Sequence, residues 1–112
     1  MSEKLHKWFV LFFVTVSLLF TNACKKDTTP PVITILGSNP YTYCIQLPET
    51  PPYADESATA LDDEDGDITS EISTSSDVNV NVTGIYSVTY SVIDKAGNQA
   101  TATREVNVMY CK

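Results

Sequence analysis

The stretch Ile85-Tyr86-Ser87-Val88-Thr89-Tyr90-Ser91-Val92-Ile93, followed by Asp94-Lys95-Ala96-Gly97-Asn98, decides the fold. Tyr86, Val88, Tyr90 and Val92 fall on one side of an extended chain and Ser87, Thr89 and Ser91 on the other, the period of two expected of a half-buried strand. Asp94 to Asn98 then supplies turn chemistry. Gln99 to Tyr110 returns with Ala100, Ala102, Val106, Val108 and Tyr110 on one face, so the two runs read as a long hairpin. Arg104 lies on that same apolar face, and a charge there must be paired or sit near a strand end.

Upstream, shorter strand signals recur at close spacing. Val32 to Leu36 is a β-branched run stopped by Gly37-Ser38-Asn39-Pro40, and Tyr41 to Leu47 is a second run stopped by Pro48. Leu47 to Ser57, with Pro48, Pro51 and Pro52, reads as irregular chain covering an edge or one end of the domain. Ala58 to Leu61 and Ile68 to Ile72 flank an acidic turn. Val78 to Val82 alternates Val with Asn, which predicts a strand with its valines inward. No helical period of useful length follows residue 24. About seven short strands in about 80 residues predict an all-β chain folded as an immunoglobulin-like β-sandwich. In such folds a Tyr near the start of strand F, two residues before a core Cys, forms the tyrosine corner. Tyr86 stands at that place with Val88 two residues on, so a sandwich without the usual core disulfide is expected.

The first 23 residues are a different material. All four Phe, the single Trp and the single His lie within the first twenty positions, as Phe9, Phe12, Phe13, Phe20, Trp8 and His6. Lys4, His6 and Lys7 precede an apolar run from Trp8 to Phe20, the charged and hydrophobic regions of a secretory signal. At about 1.5 Å per residue that run covers roughly 20 Å, short of the roughly 30 Å hydrocarbon core. The ending Phe20-Thr21-Asn22-Ala23-Cys24 resembles the lipobox of bacterial lipoproteins, with Thr21 and Asn22 in place of the usual residues. The resemblance implies a lipoprotein signal peptide over 1–23, cleavage before Cys24, a diacylglyceryl thioether on the Cys24 sulfur and a third acyl chain, of the palmitate type, on its new amino group. One acyl chain binds membranes marginally and two bind stably, so a three-chain Cys24 is a firm anchor. A plain signal peptide cut nearby, or an uncleaved anchor, is the alternative.

The cysteine count fits this reading. Three is odd, and lipidation of Cys24 leaves Cys44 and Cys111 as an even pair. In an oxidising compartment they are free to bridge across about 67 residues, which the chain-entropy model credits with about 4 kcal/mol. Two buried thiols are the alternative.

Cys24 to Pro31 reads as lipidated Cys and tether, stiffened by Pro30 and Pro31, and 32–112 as the sandwich domain. Since Glu3, Lys4 and Lys7 belong to the signal, five basic and 13 acidic side chains remain downstream, a balance of −8. Nucleic acid is a poor partner for such a chain, because binding it needs clustered Lys and Arg. No His remains to act as general base or metal ligand, and the many Ser and Thr lack an adjacent activating base, so no enzyme is expected.

Asp62-Asp63-Glu64-Asp65-Gly66-Asp67 packs five carboxylates into six residues. An EF-hand does not fit, since the first and twelfth loop positions would be Leu61 and Ile72. If the two acidic turns are the B to C and F to G loops of a sandwich, they emerge at one end. Asp62, Asp63, Asp65 and Asp67 then lie near Asp94 and Asn98 as a candidate calcium site. The plainer reading is a solvated turn with Asp65-Gly66 chosen for backbone geometry. Tyr41, Tyr43 and Tyr53 offer either an aromatic surface for sugar or peptide or, more simply, half-buried strand residues.

Several motifs in order resemble the bacterial immunoglobulin-like domain of pesticidal crystal proteins and bacterial surface proteins. They are Asp27-Thr28-Thr29-Pro30-Pro31-Val32-Ile33-Thr34-Ile35-Leu36-Gly37, Ala58-Thr59-Ala60-Leu61 running on through the acidic turn to Ile68-Thr69, Gly84-Ile85-Tyr86-Ser87-Val88-Thr89-Tyr90, and Asp94-Lys95-Ala96-Gly97-Asn98. The resemblance implies an extracytoplasmic, non-catalytic β-sandwich. Gln46 to Pro52, Ser57 (where the family usually has Gly), Cys44 and Cys111 depart from the pattern. The expected role is a lipid-anchored module of the bacterial envelope, at the outer membrane or cell surface, acting in binding or adhesion toward a glycan or protein. The alternative is a structural spacer without a specific ligand.

Overall fold

A computed structural model describes residues 25–112. The signal peptide expected over 1–23 and Cys24 lie outside the described residues. Among the described residues there are seven strands: β1 (Val32–Ile35), β2 (Tyr41–Ile45), β3 (Ala58–Asp62), β4 (Gly66–Asp67), β5 (Ser73–Ser76), β6 (Gly84–Ile93) and β7 (Gln99–Tyr110). They form two sheets, one ordered β1-β3-β4 and the other β2-β7-β6-β5, which together make an immunoglobulin-like sandwich.

The hairpin read from the sequence is the spine of the larger sheet. Strand β6 pairs with β7 from Gly84↔Val108 to Ile93↔Gln99, and the alternation is realised in the burial of Val88, Tyr90 and Val92. Tyr43, Ile45, Ala58, Val106 and Val108 join Val88 and Tyr90 in the main core, while Ala60, Ile68 and Val92 form a smaller cluster. Tyr110 is 60% exposed; it lies past Val108, the last β7 residue that β6 pairs, and is paired by Ile45 of β2 alone. The tyrosine corner is present: the Tyr86 hydroxyl donates to the Val82 carbonyl at 2.8 Å. Strand β2 runs parallel to β7 with Cys44 opposite Met109, and this pairing brings Cys44 to Cys111 as a disulfide with a Cα separation of 5.3 Å.

Arg104 is paired, as its place on the apolar face requires. Its guanidinium is fully buried, with Nε 3.1 Å from Asp55 Oδ1. The same side chain donates to the Ser38 carbonyl at 2.7 Å, to the Ser57 carbonyl at 3.3 Å and to the Leu36 carbonyl. Asp55 comes from the irregular Leu47 to Ser57 segment and also accepts from Tyr53 (2.7 Å), Tyr90 (2.5 Å) and the Ser57 amide (2.9 Å). One carboxylate thus gathers four donors. Ser57, at the position where glycine was expected, has φ of 71°, and its amide is held there by Asp55.

Two expected strands are corrected. Ile68 to Ile72 is not a strand: after the two-residue β4 the chain makes a 3₁₀ turn over Thr69–Glu71. The reason is local side-chain bonding, since Asp67 accepts from the Thr69 amide and Thr69 Oγ1 accepts from the Ala60 amide, where a ladder would need backbone partners. Val78 to Val82 is a loop as well. Ser76 and Asn79 side chains accept from the Val78 and Asn81 amides and turn the backbone out of the sheet. Val78 and Val80 still pack on the core, but Val82 is exposed. The strand that pairs with β6 on the edge away from β7 is the wholly exposed Ser73–Ser76, which carries no apolar alternation to announce it.

Candidate functional site

The acidic turn and the β6 to β7 turn do meet. Asp65 Oδ2 accepts from the Lys95 amide at 2.7 Å and ties one turn to the other. Gly66 takes the positive φ of 76° that lets the first turn close, as Asp65-Gly66 suggested. Beside this tie an open depression of about 420 Å³ is bordered by Asp65, Asp67, Glu71 and Lys95.

Asp62 ends β3 and is only 3% exposed. Its Oδ2 accepts from the amides of Glu64 (3.0 Å) and Asp65 (2.9 Å), which shapes the turn. Its Oδ1 is buried and has no hydrogen-bond partner. Asp94, 6% exposed, accepts from the Asn98 amide and from Asn98 Nδ2, both at 2.8 Å. Asn98 Nδ2 also reaches the Asp27 carbonyl at 3.2 Å, which fastens the tether to this end of the sandwich. Asp27, Asp62 and Asp94 consequently each bring one carboxylate oxygen within 4.8 Å of the others.

Of the six residues named from the sequence as a candidate calcium site, Asp62, Asp94 and Asn98 come together, with Asn98 donating its Nδ2 to Asp94 Oδ2 and to the Asp27 carbonyl. Asp65 is next to them but engaged with Lys95. Asp67 is turned away to cap the Thr69 amide, and those hydrogen bonds from Thr69 hold its carboxyl below the usual range. Asp63 is exposed. Asp27 was missed, although it opens the first of the quoted motifs; its distance in sequence from both turns gave no sign that it would join them. The Thr29 amide pulls the Asp27 carboxyl down, but burial and the carboxylates of Asp63, Asp62 and Asp94 outweigh it and leave Asp27 raised. Burial pushes Asp94 up, and hydrogen bonds led by the Asn98 side chain and amide bring it below the usual range.

The three upstream tyrosines do not form an exposed platform. Tyr43 is buried, and Tyr53 packs edge-on against Tyr41 and Tyr43 with centroids 5.6 and 6.5 Å apart.

A family model described as bacterial surface protein, Ig-like domain, matches residues 33–108. The chain belongs to that family. This Ig-like domain is also similar to a solved structure described as CBM51-2 in complex with GlcNAc and INT domains from Clostridium perfringens ZmpB. The identity is 31% and the TM-score 0.55, over 72% of this chain and 17% of that one. The Ig-like chain thus spans about a sixth of that structure's length. No curated protein matches it.

Proposed function

We propose that this protein is a non-catalytic module of the bacterial envelope, held to the membrane through a lipid on Cys24 and acting in binding or adhesion. The observation that carries the reading is the surface-protein Ig-like domain over residues 33–108, placed directly after a segment with the charge and hydropathy pattern of an export signal. The short tether from Cys24 keeps the sandwich near the membrane, at the outer membrane or cell surface. The ZmpB structure is described with N-acetylglucosamine bound to CBM51-2, so glycans are the first ligand class to try, ahead of proteins.

The test is a glycan array that includes N-acetylglucosamine, run on the full chain in detergent beside Asp65→Ala and Asp67→Ala variants. Binding that those substitutions abolish supports a ligand at the acidic end. Silence across the array and across a protein panel refutes the binding role and supports the spacer reading, which the packing of Tyr53 against Tyr41 and Tyr43 favours. Separately, Cys24→Ala should move the protein from the membrane fraction to the soluble one; an unchanged distribution refutes the lipid anchor.

A further inference from the structure

We infer that Asp27, Asp62 and Asp94 form a calcium site that clamps the tether onto the loop end of the sandwich. Three ionised carboxylates with oxygens within 4.8 Å of one another repel, and either a shared proton or a cation between them relieves that repulsion. Among the described residues the ion pair is that of Arg104 with Asp55, so no described Lys or Arg is paired with this cluster. The second observation is independent of the clustering. Asp62 is 97% removed from solvent, and while Oδ2 serves two amides, Oδ1 has no partner at all. Buried polar atoms are seldom left so, because the desolvation is uncompensated. A cation seated among the three carboxylates satisfies that oxygen and relieves the repulsion together.

The donor set selects the ion. Every available ligand is a carboxylate or carbonyl oxygen, with neither imidazole nor thiolate, which excludes soft transition metals and leaves calcium or magnesium. The ligands come from a strand end, a hairpin turn and an irregular tether, and such an uneven frame suits the flexible sphere of calcium with waters completing it, not the strict octahedron of magnesium. Because Asp27 alone comes from outside the sandwich, binding couples tether and domain. If Cys24 is lipidated as proposed above, the clamp lies three residues from the anchor and fixes how the sandwich stands on the membrane; calcium binding itself does not depend on that reading.

The test uses the full chain in detergent, stripped of metal with a chelator and titrated with calcium chloride by calorimetry and thermal melting. Extracellular modules of this kind bind at about 10⁻⁴–10⁻³ M. At tenfold excess over the dissociation constant the melting temperature should rise roughly 6–11 °C. Asp27→Asn is the decisive variant: it should weaken binding at least about tenfold while leaving the metal-free melting temperature equal to or above that of the wild type, since it removes one of three like charges. Asp94→Asn should also lose the response, and the exposed Asp63→Asn should keep it. Calcium should also slow tryptic cleavage after Lys26 in the wild type but not in Asp27→Asn. A flat titration to about 10 mM calcium overturns the site. So does a response that survives Asp27→Asn and Asp94→Asn, or an equal response to magnesium. Cleavage after Lys26 that ignores calcium overturns the clamp.

Discussion

Replacing Asp55 by Asn tests whether the Arg104 centre is the main polar support of the core. In the native protein Asp55 has two oxygens for four donors: Tyr53, Tyr90, the Ser57 amide and Arg104 Nε. Asn offers one oxygen and turns an NH₂ group toward the remaining donors, so at least two lose their acceptor. Breaking a buried ion pair on one side costs about 3–5 kcal/mol, because the surviving charge stays buried. Arg104 keeps its carbonyl partners Leu36, Ser38 and Ser57, and the Asp55 side chain is 21% exposed, so water partly compensates. Both facts place the expected loss at the low end, about 3 kcal/mol, or a fall in melting temperature of roughly 12–24 °C for a domain of this size. Urea unfolding followed by circular dichroism measures it, with an unchanged slope showing that only stability moved. Arg104→Met and the double variant complete a cycle whose coupling should be about 1–3 kcal/mol. A loss under about 1 kcal/mol for Asp55→Asn, or an additive cycle, refutes the pairing as the source of stability.

The same residue sets a pH dependence. Burial pushes the Asp55 carboxyl up, but hydrogen bonds from Tyr90, Tyr53 and the Ser57 amide, together with Arg104, hold it below the usual range. A carboxyl lowered on folding binds fewer protons in the native state, so its contribution is complete above its unfolded value of about 3.9 and is lost as pH falls through the lower folded value. Acid unfolding should therefore be steeper in the wild type than in Asp55→Asn.

Three further changes have defined outcomes. Cys44→Ser opens the 67-residue span closed by the disulfide and should cost about 4 kcal/mol in urea unfolding, leaving Cys111 as a titratable thiol where the unreduced wild type shows neither. Tyr86→Phe removes only the hydroxyl bonded to the Val82 carbonyl and should lower stability by about 1 kcal/mol; no change in the melting curve would mean that the corner is ornamental. Gly66→Ala places a Cβ in open space at a φ of 76°, so its whole effect is backbone strain, about 1–2 kcal/mol by the same unfolding assay.

The hairpin and the sandwich were legible because β6 and β7 bury one face and alternate strictly, and a period of two survives any tertiary context that keeps that face inward. Arg104 was legible as a demand for a partner, though not as to which. Val78 to Val82 misled because alternation reports which side chains face the core, and Val78 and Val80 do, without reporting whether the backbone stays in the ladder. There the Ser76 and Asn79 side chains compete for the amides. Ser73–Ser76 was invisible for the converse reason: an edge strand with every residue exposed has no apolar pattern to read.

Asp55 and Asp27 escaped notice for one shared reason. Each lies a few residues from a proline pair, Pro51-Pro52 or Pro30-Pro31, in chain that cannot join a ladder and is laid over the sandwich instead. Where such a segment delivers its carboxylate is decided by the sheets beneath it, and no local pattern records that. Their surroundings then diverge. Asp55 meets a counter-charge that the chain provides, the buried guanidinium of Arg104. Asp27 meets two more carboxylates, one of them with a buried oxygen that nothing in the described chain satisfies. Identical physics acts at both places, and the proposed calcium would supply at the second the positive charge that Arg104 supplies at the first. The stability lost in Asp55→Asn should consequently be the same with and without free calcium, while the attachment of the tether should follow it.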